Sequence, residues 1–394
     1  MRDAVKSMMW TLVWIAMVAL PGCASHLGLS ANARVAVEGA DSLHPSAVAS
    51  LRFLDAKSLA PGDDELLKNF GGISGADRDP ASGLWYLISD DRSEQAPARF
   101  YTADIEIGER GFGGIRIRKQ ASLLQPGGAP YPSARMGGEI PDAEAIRIDP
   151  RNGDLYWSSE GDRRLGLNPF IKRADRNGHY AGQLPLPSNL MVSKHREIGS
   201  RNNASIEGLA FSPDGNALWI AMETALYQDG PVASVQAGAP ARFTKVSRTG
   251  TVLGQYVYPV DPIPIQPTGG QKRADNGVSE ILAITDHSFL VVERSGYEVG
   301  ENDFRFAVRI YAANVEGATD VSRRNSIKDA PYAPIAKRLL LDLTQLNLGH
   351  LDNIEAAGWG PRLANGHLTL VLISDNNFSP RQINQFLLFE VLEQ

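Results

Sequence analysis

Cysteine is almost absent from this 394-residue chain: Cys23 stands alone, so no intrachain disulfide can form and the fold rests on its core. Concentrated positive charge is lacking too. Against 39 Lys and Arg stand 45 Asp and Glu, the formal net charge is -6, and no Lys/Arg block stands out, which excludes nucleic acid as an expected partner. Catalytic signatures are sparse as well. The seven histidines are scattered without zinc-ligand spacing, no Gly-rich phosphate loop is present, and Gly72-Ile73-Ser74-Gly75 lacks the glycine spacing of a hydrolase elbow. The one long apolar run, residues 8–20, is too short to span a membrane comfortably.

That run has another use. It follows Arg2 and Lys6 and leads into Leu20-Pro21-Gly22-Cys23, the layout of a secretory signal ending in a lipobox. Residues 1–22 therefore read as a lipoprotein signal peptide, with Cys23 as the lipidated residue and residues 23–47, rich in Ala, Ser, Gly and Val, as a flexible tether. An ordinary cleavable signal with an incidental cysteine is the alternative. Ala24 after Cys23 resembles outer-membrane sorting, so the expected location is the bacterial cell envelope, at the outer membrane facing the periplasm, with a lipid anchor as the membrane contact.

What the chain has in abundance is repetition. One pattern, an apolar run holding a polar residue, a turn, and a second apolar run ending in acid, recurs five times. The copies are GGISGADRDPASGLWYLISDD, DAEAIRIDPRNGDLYWSSEGD, NASIEGLAFSPDGNALWIAMET, GVSEILAITDHSFLVVERSG and LDNIEAAGWGPRLANGHLTLVLISDNN. Aligned on the polar residue, they put Ser74, Glu144, Glu207, Glu280 and Glu355 in register, 63 to 75 residues apart. Further strand-like runs follow each copy, at 99–106 and 114–123, 170–174 and 180–186, 242–248 and 252–260, and 305–312 and 337–343. Four strands per unit with little helical periodicity predict an all-β propeller of five blades, occupying residues 48–394 as one domain. The last copy is followed by only one run, 382–391, and is a strand short. Residues 50–60 precede the first copy as 337–346 precede the fifth, so the N-terminal strand is expected to complete the C-terminal blade and close the ring. The blades are long, and the excess is assigned to loops on one face, at 125–138, 186–202, 259–276 and 314–335, which serve either specificity or mere connection.

In a propeller the first strand of each blade lines the central channel, so the four glutamates are expected to meet there. Like charges so placed repel unless protons or cations compensate them, and a hard cation with oxygen ligands, Ca2+ above all, satisfies that need. The second strands end in another set, Ser89-Asp90-Asp91, Ser159-Glu160, Glu223, Glu293 and Ser374-Asp375-Asn376-Asn377, with Arg92, Arg163, Arg164 and Arg294 beside them. The candidate metal ligands are Glu144, Glu207, Glu280, Glu355, Asp90 and Asp375. The candidate catalytic residues are Glu207, Glu280, Arg92 and Arg294, the guanidinium groups suiting an oxyanion. A structural role stays open for the glutamates, through bonds to the neighbouring blade, and turn formation for the second set. Trp85, Trp157 and Trp219 recur in the second strands, where inter-blade packing is the expected role.

The segments GGISGADRDPASGLWYLISDD, SIEGLAFSPDGNALWIAMET and NIEAAGWG followed by LTLVLISDNNFS resemble the bacterial phytase-like, or "esterase-like activity of phytase", domain family, over about residues 48–391. The resemblance implies an exported propeller acting on a phosphate ester or other ester. It also points to the calcium-dependent propeller phytases, whose six blades are the alternative to five; for their D-A-x-D-D-P-A-x-W motif this chain has the superficially similar A-D-R-D-P-A-S-G-L-W from Ala76, and their acidic calcium clusters are not matched residue by residue. The rival expectation is a non-catalytic binding or scaffold propeller that presents its loops to an envelope partner.

Overall fold

The computed structural model describes residues 44–59, 65–133, 135–301 and 303–393; Cys23 and the signal and tether lie outside the described residues, except for 44–47. Among the described residues, twenty strands form five antiparallel four-stranded sheets. Blade one holds β2 (Ile73–Arg78), β3 (Trp85–Ser89), β4 (Arg99–Gly108) and β5 (Gly111–Ser122). Blade two holds β6 (Ala143–Ile148), β7 (Leu155–Ser159), β8 (Phe170–Ala174) and β9 (Tyr180–Leu184). Blade three holds β10 (Ile206–Phe211), β11 (Ala217–Met222), β12 (Ala239–Ser247) and β13 (Val252–Val260). Blade four holds β14 (Gly277–Ala283), β15 (Ser288–Gly300), β16 (Asp303–Asn314) and β17 (Ala336–Asp342). Blade five holds β18 (Asn353–Arg362), β19 (Leu368–Asp375) and β20 (Asn384–Leu392), and β1 (Ser50–Leu59) completes it by pairing with β20 from Ser50↔Leu392 to Leu59↔Asn384. Five blades closed by the N-terminal strand are thus what the repeats predict.

The burial pattern explains why the same motif folds the same way five times. The innermost strands touch one another around the ring, β2 to β6, β10, β14, β18 and back to β2, and their residues are almost all buried on both faces. Outer strands such as β9 alternate between partly buried and exposed positions, the period-two pattern of a half-solvated sheet. Five apolar cores fill the gaps between neighbouring blades. Trp85, Trp157 and Trp219 are each fully buried in one of them, and Trp219 meets Phe289 of the next blade edge to face at 4.9 Å. A side chain so buried contributes about 1.5–3 kcal/mol, which fixes these tryptophans as packing residues. Gly75 lets β2 approach β6, since a Cβ there would lie 2.6 Å from the Glu144 carbonyl oxygen.

The long loops do not all share a face. Loops 125–138, 186–202 and 259–276 leave the ends of outer strands and surround one mouth of the channel. The segment 314–335 begins at Asn314, which pairs with Ser288 beside the β14–β15 turn, at the opposite end. It runs along blade three instead. Val321 N donates to Gln255 O (2.7 Å) and Ile335 N to Val257 O (2.8 Å), covering the free edge of β13. The fully buried Arg242 fixes this strap through Asp229 (2.6 Å) and the Arg324 carbonyl (3.0 Å).

Candidate functional site

Five β-bulges build the site. Near the start of each inner strand the ladder slips, at Ser74 in β2, Glu144–Ala145 in β6, Glu207 in β10, Ser279 in β14 and Glu355 in β18. A bulge frees one residue from pairing and re-aims its side chain. Glu144, Glu207 and Glu355 are thereby turned into a funnel of about 590 Å³ at the loop-bearing mouth of the channel. Ser74 and Ser279 bond to blade five, Ser74 Oγ donating to Glu355 Oε2 (3.2 Å) and Ser279 Oγ to the Ile354 carbonyl (3.1 Å).

A second tier stands one step nearer the rim. The strand residues that face the inner strands just before each bulge are Ser89, Ser159, Met222, Glu293 and Ser374. The residue after each, Asp90, Glu160, Glu223, Arg294 and Asp375, lines the funnel. Together the tiers bring carboxylates into three trios, Asp90 with Glu355 and Asp375, Asp142 with Glu144 and Glu160, and Glu160 with Glu207 and Glu223. Within each trio one oxygen per residue lies within 4.8 Å of the others, and Glu160 belongs to two. Arg294 occupies the place where the other four blades set an acid. Its guanidinium reaches Asp275 (3.0 Å), Glu355 (3.2 Å) and Glu223 (3.4 Å). Arg92 is held by Asp162 (2.7 Å) and lies 3.6 Å from Asp142.

The family model described as "Esterase-like activity of phytase" matches residues 68–378, most of the ring including both tiers. The chain belongs to the phytase-like family. No curated protein sequence matches it. Among solved structures it is similar to the Dos1 propeller (7% identity, 82% of this chain and 68% of that one, TM-score 0.34). It is also similar to an alpha-L-arabinofuranosidase from Lactobacillus brevis (10% identity, 83% and 92% covered, TM-score 0.40) and to a thermostable family-43 glycoside hydrolase (11% identity, 83% and 91%, TM-score 0.40).

Charge dominates the funnel of this phytase-like propeller. Eleven carboxylates and two guanidinium groups line it, an excess of negative charge that its own arginines cannot compensate. Burial, and after it the neighbouring acids, push Asp90, Glu144, Glu160 and Glu207 well above the usual carboxylate range. Asp375 and Glu355 are raised too, again chiefly by burial. Burial raises Asp142 to about 6 against the opposing charge of Arg92, and Glu223 to about 7 against that of Arg294. Burial alone would lower Arg294, but Asp275, Glu355, Glu223 and Glu207 hold it above its ordinary value.

Glu280 does not join its expected partners. The bulge of β14 falls at Ser279, so Glu280 is one residue out of register and turns deeper into the channel. There it is fully buried, with Oε2 2.6 Å from Arg147 Nη2, and burial raises it to about 8 despite that partner. Arg147 also donates to the carbonyls of Ala76 (2.8 Å) and Ile281 (3.1 Å), so the pair bridges blades one, two and four and forms a floor below the funnel. Glu293 likewise faces away, accepting from Tyr258 Oη (2.8 Å) and Asn276 Nδ2 (3.0 Å) between blades three and four. The other expected residues, Glu144, Glu207, Glu355, Asp90, Asp375, Arg92 and Arg294, all line the funnel.

Asp142 and Asn353 belong to the site without having been singled out from sequence. Asn353 Nδ2 donates to Glu355 Oε1 (2.9 Å) and Asp375 Oδ2 (3.3 Å), and holds that trio together. The available signal was an Asp or Asn two residues before the aligned glutamate in the second and fifth copies.

Proposed function

We propose that this phytase-like propeller hydrolyses phosphate esters, or other esters, with a divalent cation, calcium by preference, held in the funnel. One observation carries the reading. Glu144 is 7% exposed, lines the funnel and has no hydrogen-bond partner among the described residues, while Asp142 and Glu160 stand beside it. A carboxylate so buried needs a proton or a cation. The 4.8 Å span of each trio fits oxygens on one ion at about 2.4 Å each. Glu144, Glu160, Glu207 and Glu223 would hold cation on the side of blades two and three, and Asp90, Glu355 and Asp375 between blades five and one, with Asp142 left for proton transfer. Glu280 has no part in this and serves the channel floor.

When bound, the cation would polarise the ester and stabilise the charge that develops on it. Arg92 and Arg294 orient the oxyanion and neutralise part of its charge. Asp142, raised to about 6, sits near the pH at which a carboxylate both accepts and returns a proton. Its Oδ2 faces Arg92, which leaves Oδ1 to take the proton from attacking water as the new P–O or C–O bond forms. The same proton then goes to the departing alkoxide as the ester bond breaks.

An anchor at Cys23 in the envelope accompanies this reading. The described chain starts at the face opposite the funnel, where Ser46 N donates to Glu393 Oε2 (2.9 Å) and His44 Nδ1 lies 2.9 Å from the Ala283 carbonyl oxygen. That placement suits a funnel open to the periplasm. Purified protein assayed on a broad panel of phosphomonoesters and carboxylic esters, with calcium and with chelator, is expected to show calcium-dependent turnover. Absent turnover would refute the enzyme, and chelator-insensitive turnover would refute the role of the cation. Calcium-induced stabilisation without turnover would favour the binding propeller.

A further inference from the structure

We infer that the ester taken by the funnel carries an aromatic or similarly flat apolar group beside its anionic centre, received in a slot above Arg294. This rests on the hydrolase reading and names its substrate class. Blade four is built differently from the rest. Its second strand β15 has 13 residues, against five to eight for β3, β7, β11 and β19, and β16 has 12. The extra length rises past the acid tiers to the rim. Along it Arg294 pairs with Val308, Gly296 with Phe306 and Glu298 with Phe304. Residues opposite one another share a face, as do alternate residues, so Phe306 and Phe304 stand on the Arg294 side of the sheet, about 7 and 14 Å towards the rim.

Both rings line the funnel, and neither belongs to an inter-blade core. Phe304 is covered by the Arg273 guanidinium, 4.8 Å from its centroid. Phe306 is not covered from the facing strand, because its partner there is Gly296. A Cβ at Gly296 would lie 3.6 Å from Phe306 Cε1 and 3.3 Å from Asp275 Oδ1, so the glycine leaves at the strand only the room of a single methyl group, at the base of a slot that opens into the funnel between Phe306, Asp275 and Arg294.

A third ring, Phe378, lines the mouth from blade five. Its φ of +49° lies in the left-handed region, a costly conformation for a bulky residue. Asn376 Oδ1 holds it there by accepting from Phe378 N (3.2 Å) and Gly72 N (3.0 Å). Three half-buried rings in a funnel otherwise lined almost wholly by polar groups contribute nothing to the cores. Their use is contact with an apolar part of the ligand, Phe306 being the ring nearer to Arg294 along the sheet, about 7 Å away.

Titration calorimetry at saturating calcium with phenylphosphonate and methylphosphonate tests this, since both carry the same anion and neither has an ester bond to cleave. Phenylphosphonate is expected to bind about tenfold more tightly, the scale of an aromatic pair plus ring burial. Gly296→Val fills the slot without removing a ring or a charge and should bring the two within about twofold, as should Phe306→Ala. Equal affinities in the unaltered protein overturn the aromatic slot and leave the phosphate site standing. Binding of neither overturns the phosphate site and the slot together.

Discussion

Removing divalent cations should make the protein less stable as pH rises, the reverse of the usual carboxylate behaviour. Glu223 is buried in the second tier and its pKa is raised from 4.5 to about 7, because burial penalises its charge more than Arg294 relieves it. Below about pH 4.5 the group is protonated in both folded and unfolded chains and contributes no difference. Between about pH 4.5 and about 7 the unfolded chain loses its proton while the folded one keeps it, so stability falls, and above about 7 the loss is complete. A rise from 4.5 to about 7 corresponds to about 3 kcal/mol. The propeller unit spans Ser42–Gln394, roughly 350 residues, and at about 2.1 cal/mol/K of unfolding entropy per residue that energy lowers Tm by about 4 °C. Differential scanning calorimetry of the chelated protein across this range reads the slope. Calcium at about a hundred times its Kd should restore about 2.7 kcal/mol on the alkaline side and little on the acid side, where protons occupy the oxygens. Glu223→Gln, which is neutral throughout, should flatten the slope by about its own share. A chelated Tm that stays level or rises across this window, with no calcium effect at its upper end, would refute the claim that these acids lie buried without compensation.

The two glutamates that sequence alone treats alike should part company. Glu207→Gln is expected to reduce the calcium-induced rise in Tm, whereas Glu280→Gln should act equally with and without calcium, lowering Tm above about pH 8, where it breaks the ion pair with Arg147 in the channel floor, and changing it little below, where Glu280 is already neutral. At the face opposite the funnel, Arg248 of blade three grips the buried Asp149 of blade two, with Nη1 3.0 Å from Oδ1. Arg248→Ala should cost about 2–3 kcal/mol in urea denaturation and leave the calcium response intact. Ring closure depends on β1, whose register with β20 runs nine pairs. A chain starting after Leu59 should lose its single cooperative unfolding transition and expose the apolar edge of blade five, read by calorimetry and dye binding.

The ring itself was legible because each unit repeats the same alternation, and the unit that lacks a strand lies at the terminus where another can supply it. Strands β8 and β13 fall at 170–174 and 252–260, where the alternating runs end at Asn177-Gly178 and begin after Thr249-Gly250. The site was less legible, and for a definite reason. A bulge adds one residue without changing composition, so an alignment on acidic residues is free to slip by one wherever the acid and the bulge do not coincide. In the fourth copy they do not. Aligned instead on the last paired apolar residue before each bulge, Ile73, Ala143, Ile206, Val278 and Ile354, the copies give Ser74, Glu144, Glu207, Ser279 and Glu355, the set the backbone selects. The long segment 314–335 misled similarly, because loop length carries no information about which end of a strand it leaves.

Blade four therefore departs from the repeat at every level that matters to the site. It places Ser279 where three other blades place glutamate, and Arg294 where all four place an acid. A ring acidic at all five positions would surround the axis with equivalent sites and give a ligand no preferred orientation. With one blade contributing a cation, the carboxylates form an open arc from blade five through blades one and two to blade three, and all three trios lie on that arc. Among the described residues, an anionic group meets positive charge in the funnel at Arg294, in the gap of the arc, and at Arg92 on its flank. The gap is also the side on which the lengthened β15 and β16 raise Phe304 and Phe306. Cation ligands, anion contact and apolar contact are thus assigned to different sectors of one funnel. That division follows from the one blade that sets a cation in the second tier, which explains why the repeat announces the scaffold while its exception sets the chemistry.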